Sequence, residues 1–298
     1  MKTNFTRREF IAGAALVTGA AAIGHTTDAF ALAVDTPPTV GEIMDTFIAQ
    51  VSNAPFPNTV DTLKAGNREL KVTGVVTTMF ATIEVIRKAI AQKANFIIAH
   101  EPTFYNHADD TQWLANDDVF QYKKKLLDDN GIAVWRNHDY IHSIRPDGVR
   151  KGVEEALGWQ KYQVADQLFY QLPAEQSLNT IITHCKKQLG IQMVRYVGDL
   201  QQNCRKVVLM VGAAGGQRQI SAVAKYKPDV LICGEISEWE TAEYVRDART
   251  KGDQLSLVVL GHIPSEQPGS AFMAAWLKQH FRGLPVTEIN PGNSLSFV

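Results

Sequence analysis

A four-residue apolar run, Phe96-Ile97-Ile98-Ala99, stops abruptly at His100-Glu101. A run that short, with no polar alternation, has the length of a strand buried on both faces, the condition of a sheet covered by helices front and back. The same pattern recurs along the chain. Val72–Thr77, Ile132–Trp135, Val207–Val211, Val230–Cys233 and Leu255–Leu260 read as strands. Between them, the Ile83, Ile86, Ile90 spacing and the segments Val119–Asn130, Ile220–Tyr226 and Glu238–Thr250 read as helices. Strand alternating with helix predicts parallel crossovers, and so an α/β fold with mixed, largely parallel sheets.

Other segments fill in this outline. Thr39-Val40-Gly41-Glu42 has capping-box spacing before the stripe Ile43, Met44, Phe47, Val51. Val149–Leu157 is a short helix, and residues 162–198 supply two or three strands around an amphipathic helix striped by Leu178, Ile181, Ile182, Cys185 and Leu189. The loop Gly198–Cys204 reads as a lobe boundary, Ala271–His280 as the last helix, and Leu295–Val298 as a closing strand.

The 298 residues, 45% hydrophobic and 20% charged, suffice for one domain with two lobes or for two small domains. A net charge of -1 supplies no basic field, so no nucleic-acid partner is expected, and Lys123-Lys124-Lys125 reads as a solvated helix face. The odd, scattered set Cys185, Cys204 and Cys233 argues against a disulfide framework.

Residues 1–33 read as an export signal. Thr6-Arg7-Arg8-Glu9-Phe10-Ile11 precedes an uncharged Ala- and Gly-rich stretch from Ala12 to Gly24, and Ala29-Phe30-Ala31 and Ala31-Leu32-Ala33 offer small-x-small cleavage sites. Paired arginines before x-Phe-Ile resemble the twin-arginine type, with Ala12 where a Lys is common. The expectation is a periplasmic or otherwise exported mature chain, 34–298, with no stable membrane span after cleavage. Twin-arginine export carries folded proteins, often already holding a cofactor, which suits a metalloprotein.

Donor side chains gather after three of the strands: His100 and Glu101; then His138, Asp139 and His142; then His262 and Glu266. Open α/β sheets bind ligands at such carboxyl ends. With Pro264 between them, His262 and Glu266 are expected to straddle a tight turn and a helix start, from which imidazole and carboxylate converge on one ion.

In these blocks, together with Asp61-Thr62-Leu63-Lys64-Ala65-Gly66-Asn67, Val211-Gly212-Ala213-Ala214-Gly215-Gly216 and Cys233-Gly234-Glu235, the chain resembles the Nif three-like proteins over essentially its whole mature length. That resemblance implies two α/β lobes with a dinuclear metal site in the cleft between them, no inserted extra domain, and a homohexamer. It implies the metal set His100, Glu101, His142, His262 and Glu266, in which Glu101 stands for a common second histidine and His142 for a common Asp. Glu266 is the first choice of bridging carboxylate and Glu101 the second. Asp139 is a reserve ligand, and His138 is placed behind the ligands, orienting one of them or the substrate.

Mixed imidazole and carboxylate donors suit two divalent ions of Zn, Mn, Fe or Ni. Paired ions activate water, so a metal-dependent hydrolase of a small molecule is the leading reading; a non-catalytic metal-binding, trafficking or assembly protein is the alternative. Other signals carry less. The glycine-rich segment 211–216 reads as a tight turn, Glu235 and Glu238 as possible cleft residues, and His107, His184 and His280 as structural.

Overall fold

The computed structural model describes residues 36–296 and 298; the leader-like segment 1–33 lies outside them. The chain runs α1 (Val40–Ile48), β1 (Leu63–Ala65), β2 (Val75–Thr78), α2 (Ile83–Ala91), β3 (Phe96–Ala99), α3 (Asp118–Asp129), β4 (Ala133–Arg136), α4 (Asp139–Ser143) and α5 (Gly148–Leu157). It continues with β5 (Gln163–Ala165), β6 (Phe169–Ser177), α6 (Leu178–Leu189), β7 (Arg195–Val197), β8 (Asn203–Met210), α7 (Gly216–Tyr226) and β9 (Val230–Cys233). After a π-helical turn come α8 (Glu243–Thr250), β10 (Ser256–Val259), α9 (His262–His280) and β11 (Val286–Glu288).

Two mixed sheets result. The first has the order β1-β4-β3-β2-β11, with β11, β2, β3 and β4 parallel and β1 antiparallel at the edge. The second has the order β5-β6-β8-β9-β10-β7, with β8, β9 and β10 parallel at its centre. Every residue of β2, β3, β4, β9 and β10 is buried, as unbroken apolar runs require when helices cover both faces.

Local chemistry explains the element ends. Thr39 and Glu42 close the expected capping box on α1, whose stripe packs on Phe96, Ile98 and Trp135. On the opposite face of the first sheet, Val76, Ile97 and Val134 meet Val85 and Ile86 of α2 and Leu127 of α3. The second sheet packs Val207, Leu209, Ile232 and Val258 against Ile181 and Cys185 of α6. Helix α5 serves both halves, with Val149 in the first core and Val153 and Leu157 in the second.

Four expectations change. Gly198–Cys204 is not a lobe boundary: β6 before it and β8 after it pair in one sheet, and β7 caps the far edge against β10. The last helix begins at His262, nine residues early, because Pro264 falls in its first turn, where backbone N–H groups have no helical partner. The closing strand is Val286–Glu288, which returns the chain to β2 in the first sheet, rather than Leu295–Val298. Lys123 is buried and donates to the Thr103 carbonyl at 2.6 Å, whereas Lys124 and Lys125 form the surface pairs expected of a solvated face. Among the described residues, no helix is long and apolar enough to cross a membrane.

Candidate metal centre

Register decides what meets. Ala99 of β3 lies opposite Arg136 of β4, so the next residues, His100 and Asn137, leave the sheet side by side. In the second sheet Cys233 of β9 lies opposite Val259 of β10, which levels Gly234-Glu235 with Leu260-Gly261-His262. The carboxyl edges of the two parallel cores thus deliver donors to one place. Helix α4 adds His142 one turn after His138. Its first N–H groups are captured from outside, His138 N and Tyr140 N donating to the buried Asp61 carboxylate at 2.8 and 2.7 Å.

The five side chains His100, Glu101, His142, His262 and Glu266 converge, and His138 joins them. Glu266 Oε2 lies 3.0 Å from His262 Nε2 and 3.5 Å from His100 Nε2. Glu101 Oε1 lies 3.2 Å from His262 Nε2 and 3.9 Å from the Nε2 atoms of His100 and His138. The His100 and His138 rings stack with centroids 4.8 Å apart, and His142 stands edge-on to both at 5.1 and 5.0 Å. Two donor groups, His100/His138/His142 and His100/Glu101/Glu266, each bring ligand atoms within 4.8 Å of one another and could hold a metal ion. His262 and Glu266 do share a helix face, one turn apart at the start of α9, rather than straddling a turn.

Each imidazole is anchored through Nδ1. His100 Nδ1 faces the Asn137 carbonyl at 3.2 Å, His138 Nδ1 faces Asp139 Oδ1 at 3.0 Å, and His142 Nδ1 faces Asp147 Oδ2 at 3.0 Å. His262 Nδ1 contacts Glu235. Carbonyl and carboxylate oxygens only accept, so each Nδ1 carries the proton and each Nε2 is left to turn inward. That arrangement, oxygen behind and nitrogen in front, is how proteins fix imidazoles for metal. His100 Nε2 is buried without a hydrogen-bond partner, since 3.5 Å to Glu266 is too long for a good bond.

Charge follows from these contacts. Burial pulls the His262 imidazole down, but hydrogen bonds to Glu101, Glu235 and Glu266 outweigh it and hold it up at about 12. Burial likewise opposes, and Glu266 and Glu101 overcome, in raising His100. Burial pushes Glu101 up, yet His262, His100 and His138 bring it to about 2, and His100 and His262 hold Glu266 well below the usual carboxylate range. His138 behaves oppositely: burial and the neighbouring His100 and His142 drive it down to about 4, so it is neutral near pH 7. The proton on His262 therefore offsets part of the buried carboxylate charge, in the place a divalent cation would take.

Three expected roles shift. His138 faces the donors instead of standing behind them. Asp139 is the residue behind: its Oδ1 takes His138, and its Oδ2 takes Thr59 Oγ1 at 2.8 Å and Val60 N at 3.2 Å, so both oxygens are engaged by protein groups. Glu238 is exposed and paired with Arg195, away from the donors, whereas Glu235 reaches His262. Sequence reasoning passed over Asp61, Asp147 and Arg136. Arg136 is fully buried, donates to the His100 and His107 carbonyls, and sets Nη2 3.5 Å from Glu101 Oε2. Asp147 looked like an ordinary helix cap, which it also is, accepting from Val149 N and Arg150 N. Gly212, at φ +64, leaves room for Glu266: a Cβ there would meet Glu266 Oε1 at 2.1 Å. The glycine segment is thus a turn, as expected, with a packing task. His184, stacked on Trp159, and His280, stacked on Trp276, are structural.

A family model for DUF34/NIF3 (NGG1p interacting factor 3) matches residues 48–291. The chain belongs to the DUF34/NIF3 family. Among curated relatives, a Clostridium perfringens protein named GTP cyclohydrolase 1 type 2 homolog is 26% identical over 216 residues, 69% of this chain and 78% of that one. A Bacillus cereus protein related to NIF3 superposes with a TM-score of 0.71 at 17% identity, covering 88% of this chain and 99% of that one. A Staphylococcus aureus hypothetical protein superposes at 0.69 with 18% identity, covering 88% and 100%. At such identities the superpositions show a shared fold.

Proposed function

We propose that this DUF34/NIF3 chain binds two divalent metal ions among His100, Glu101, His138, His142, His262 and Glu266 and acts as a metal-dependent hydrolase of a small molecule. The observation that supports it is the arrangement of four imidazoles, each held at Nδ1 by an oxygen: His100, His138 and His262 bring Nε2 within 3.9 Å of the buried Glu101 or Glu266, and His142 joins His100 and His138 in one donor group. Glu266, between His100 and His262, is the candidate bridge. Bound ions would lower the pKa of a coordinated water to about 7 and polarise a substrate oxygen. The chain's own share is positional. Asp139, Asp147, Glu235 and the Asn137 carbonyl fix the rings, Arg136 steadies Glu101, and packed strands exclude bulk water from behind His100.

A cavity of about 680 Å³, bounded in part by His138, His142 and Glu266, lies against the donors and has the size of a small-molecule site. The relatives' name makes GTP one compound to assay. Two further parts of the reading rest on sequence alone: twin-arginine export to the periplasm on residues 1–33, and a homohexamer on the family resemblance.

Elemental analysis of the purified protein tests the site. Glu266→Gln should lose at least one equivalent of metal, and an unchanged metal content would sink the assignment. A screen of phosphoesters, cyclic nucleotides, GTP and amides tests the reaction, with turnover expected to vanish in His100→Ala and His262→Ala. A metal-loaded protein inert toward all of them would be the non-catalytic metal-binding protein instead.

A further inference from the structure

We infer that the cavity beside the donors is built for a phosphate group, and that the substrate is a phosphate-bearing small molecule anchored there by Arg145, Arg150 and Arg218. This rests on the proposed metal site, with which it shares a wall: His138, His142 and Glu266 bound one part of the cavity, the three arginines another.

The arginines have unused donors, while the acids around them do not have unused charge. Among the described residues, Arg145 forms no ion pair; its Nη1 donates only to the His142 and Ile144 carbonyls, at 3.1 and 3.3 Å. Arg218, in the first turn of α7, likewise forms no ion pair or side-chain hydrogen bond there. Arg150 spends Nε on Asp147 at 3.5 Å and Nη1 on the Asp166 carbonyl at 3.3 Å, leaving Nη2. Apart from the Asp147–Arg150 contact, the carboxylates on the same wall are engaged elsewhere. Asp147 anchors His142 and caps α5, Asp166 takes Lys225 at 2.9 Å and the Tyr226 hydroxyl, and Glu266 lies between His100 and His262.

A concave surface holding three guanidinium groups, two of them without a carboxylate, is an electrostatic site for an anion. Planar forks with several N–H groups match the multiple oxygens of a phosphate better than the two of a carboxylate. Ala213 and Ala214, just before the uncapped start of α7, complete that side of the cavity and add the positive end of a helix dipole. Placement beside the donors means that a phosphate on the arginines would hold the rest of a small molecule within reach of His138, His142 and Glu266.

Calorimetric titration with inorganic phosphate, on protein of measured metal content, tests this. The wild type should bind phosphate, and the double variant Arg145→Gln/Arg218→Gln, altered at exposed positions, should bind it at least tenfold more weakly with metal content unchanged. Arg218→Lys should recover part of the loss. Equal affinity in wild type and double variant would overturn the inference, since phosphate would then be held by the ions alone; so would acetate binding as tightly as phosphate, or no phosphate binding by metal-loaded wild type. If the protein proves metal-free, the metal reading fails by itself, and the comparison of wild type with the arginine variant still decides the phosphate site.

Discussion

His262 shows most directly how single residues set the chemistry. With three carboxylates around it, it carries a proton at neutral pH in the metal-free chain, and an ion taking its Nε2 must expel that proton. The sign for stability follows from comparison with its ordinary value of 6.5: stabilisation by the charged form is complete below that pH and is lost as pH rises toward about 12. His138 and Glu101 act in the opposite direction. Their folded values of about 4 and about 2 lie below the ordinary 6.5 and 4.5, so the unfolded chain takes up protons first on acidification, and stability falls from 6.5 down to 2. Zinc titrations at pH 7 in buffers of different ionisation enthalpy should therefore report release of one or more protons per site filled, with affinity rising as pH increases. The release should fall in His262→Ala, and zinc binding with no proton release would contradict the charge state assigned to His262.

At the scale of elements, the contact between α5 and α9 holds the donors in place. The two helices meet through glycine: a Cβ on Gly152 would lie 2.3 Å from the Pro268 carbonyl oxygen. Helix α9 carries His262 and Glu266 at its start and packs Met273, Trp276 and Leu277 into the first core, so pushing it off α5 moves Glu266 relative to His100. Gly152→Val should cost about 1–3 kcal/mol by overpacking and lower metal occupancy, read by thermal unfolding and elemental analysis. Full occupancy in a destabilised variant would show that the donors tolerate the shift. This same helix was only half legible in the sequence. The strand ends were legible because burial on both faces writes itself as uninterrupted apolar runs, so His100, His138 and His262 could be placed at sheet edges. The start of α9 was hidden because Pro264 reads as the mark of a turn, although a first-turn proline costs nothing. Sheet membership was not local information: β6 and β8, which pair, flank the loop taken for a boundary. Asp61, Asp139 and Asp147 were unreadable as positioning groups because a carboxylate behind a histidine looks, in sequence, like any cap or loop acid.

Over the whole molecule, the two sheets contribute unequally to one centre. The first sheet's edge supplies His100, Glu101, His138 and His142, and the second supplies His262 and Glu266 through β10 and the start of α9, with Glu235 after β9. Any ion held by both sets is a cross-link between the two halves that exists only in the folded state. Ligands of that kind stabilise by mass action, about 2.7 kcal/mol at a hundredfold excess over Kd. At roughly 2–4 °C per kcal/mol for a chain of this size, removing the metal should lower the melting midpoint by on the order of 5–10 °C. Calorimetric scans of the metal-loaded protein with and without EDTA measure that directly. Glu266→Gln, already short of metal, should respond to EDTA by less. Superimposable scans for the loaded and stripped wild type would mean that the ions do not join the two halves. The stripped protein should still fold, because its buried carboxylates keep His262 as a protonated partner and its cores are complete without the ions.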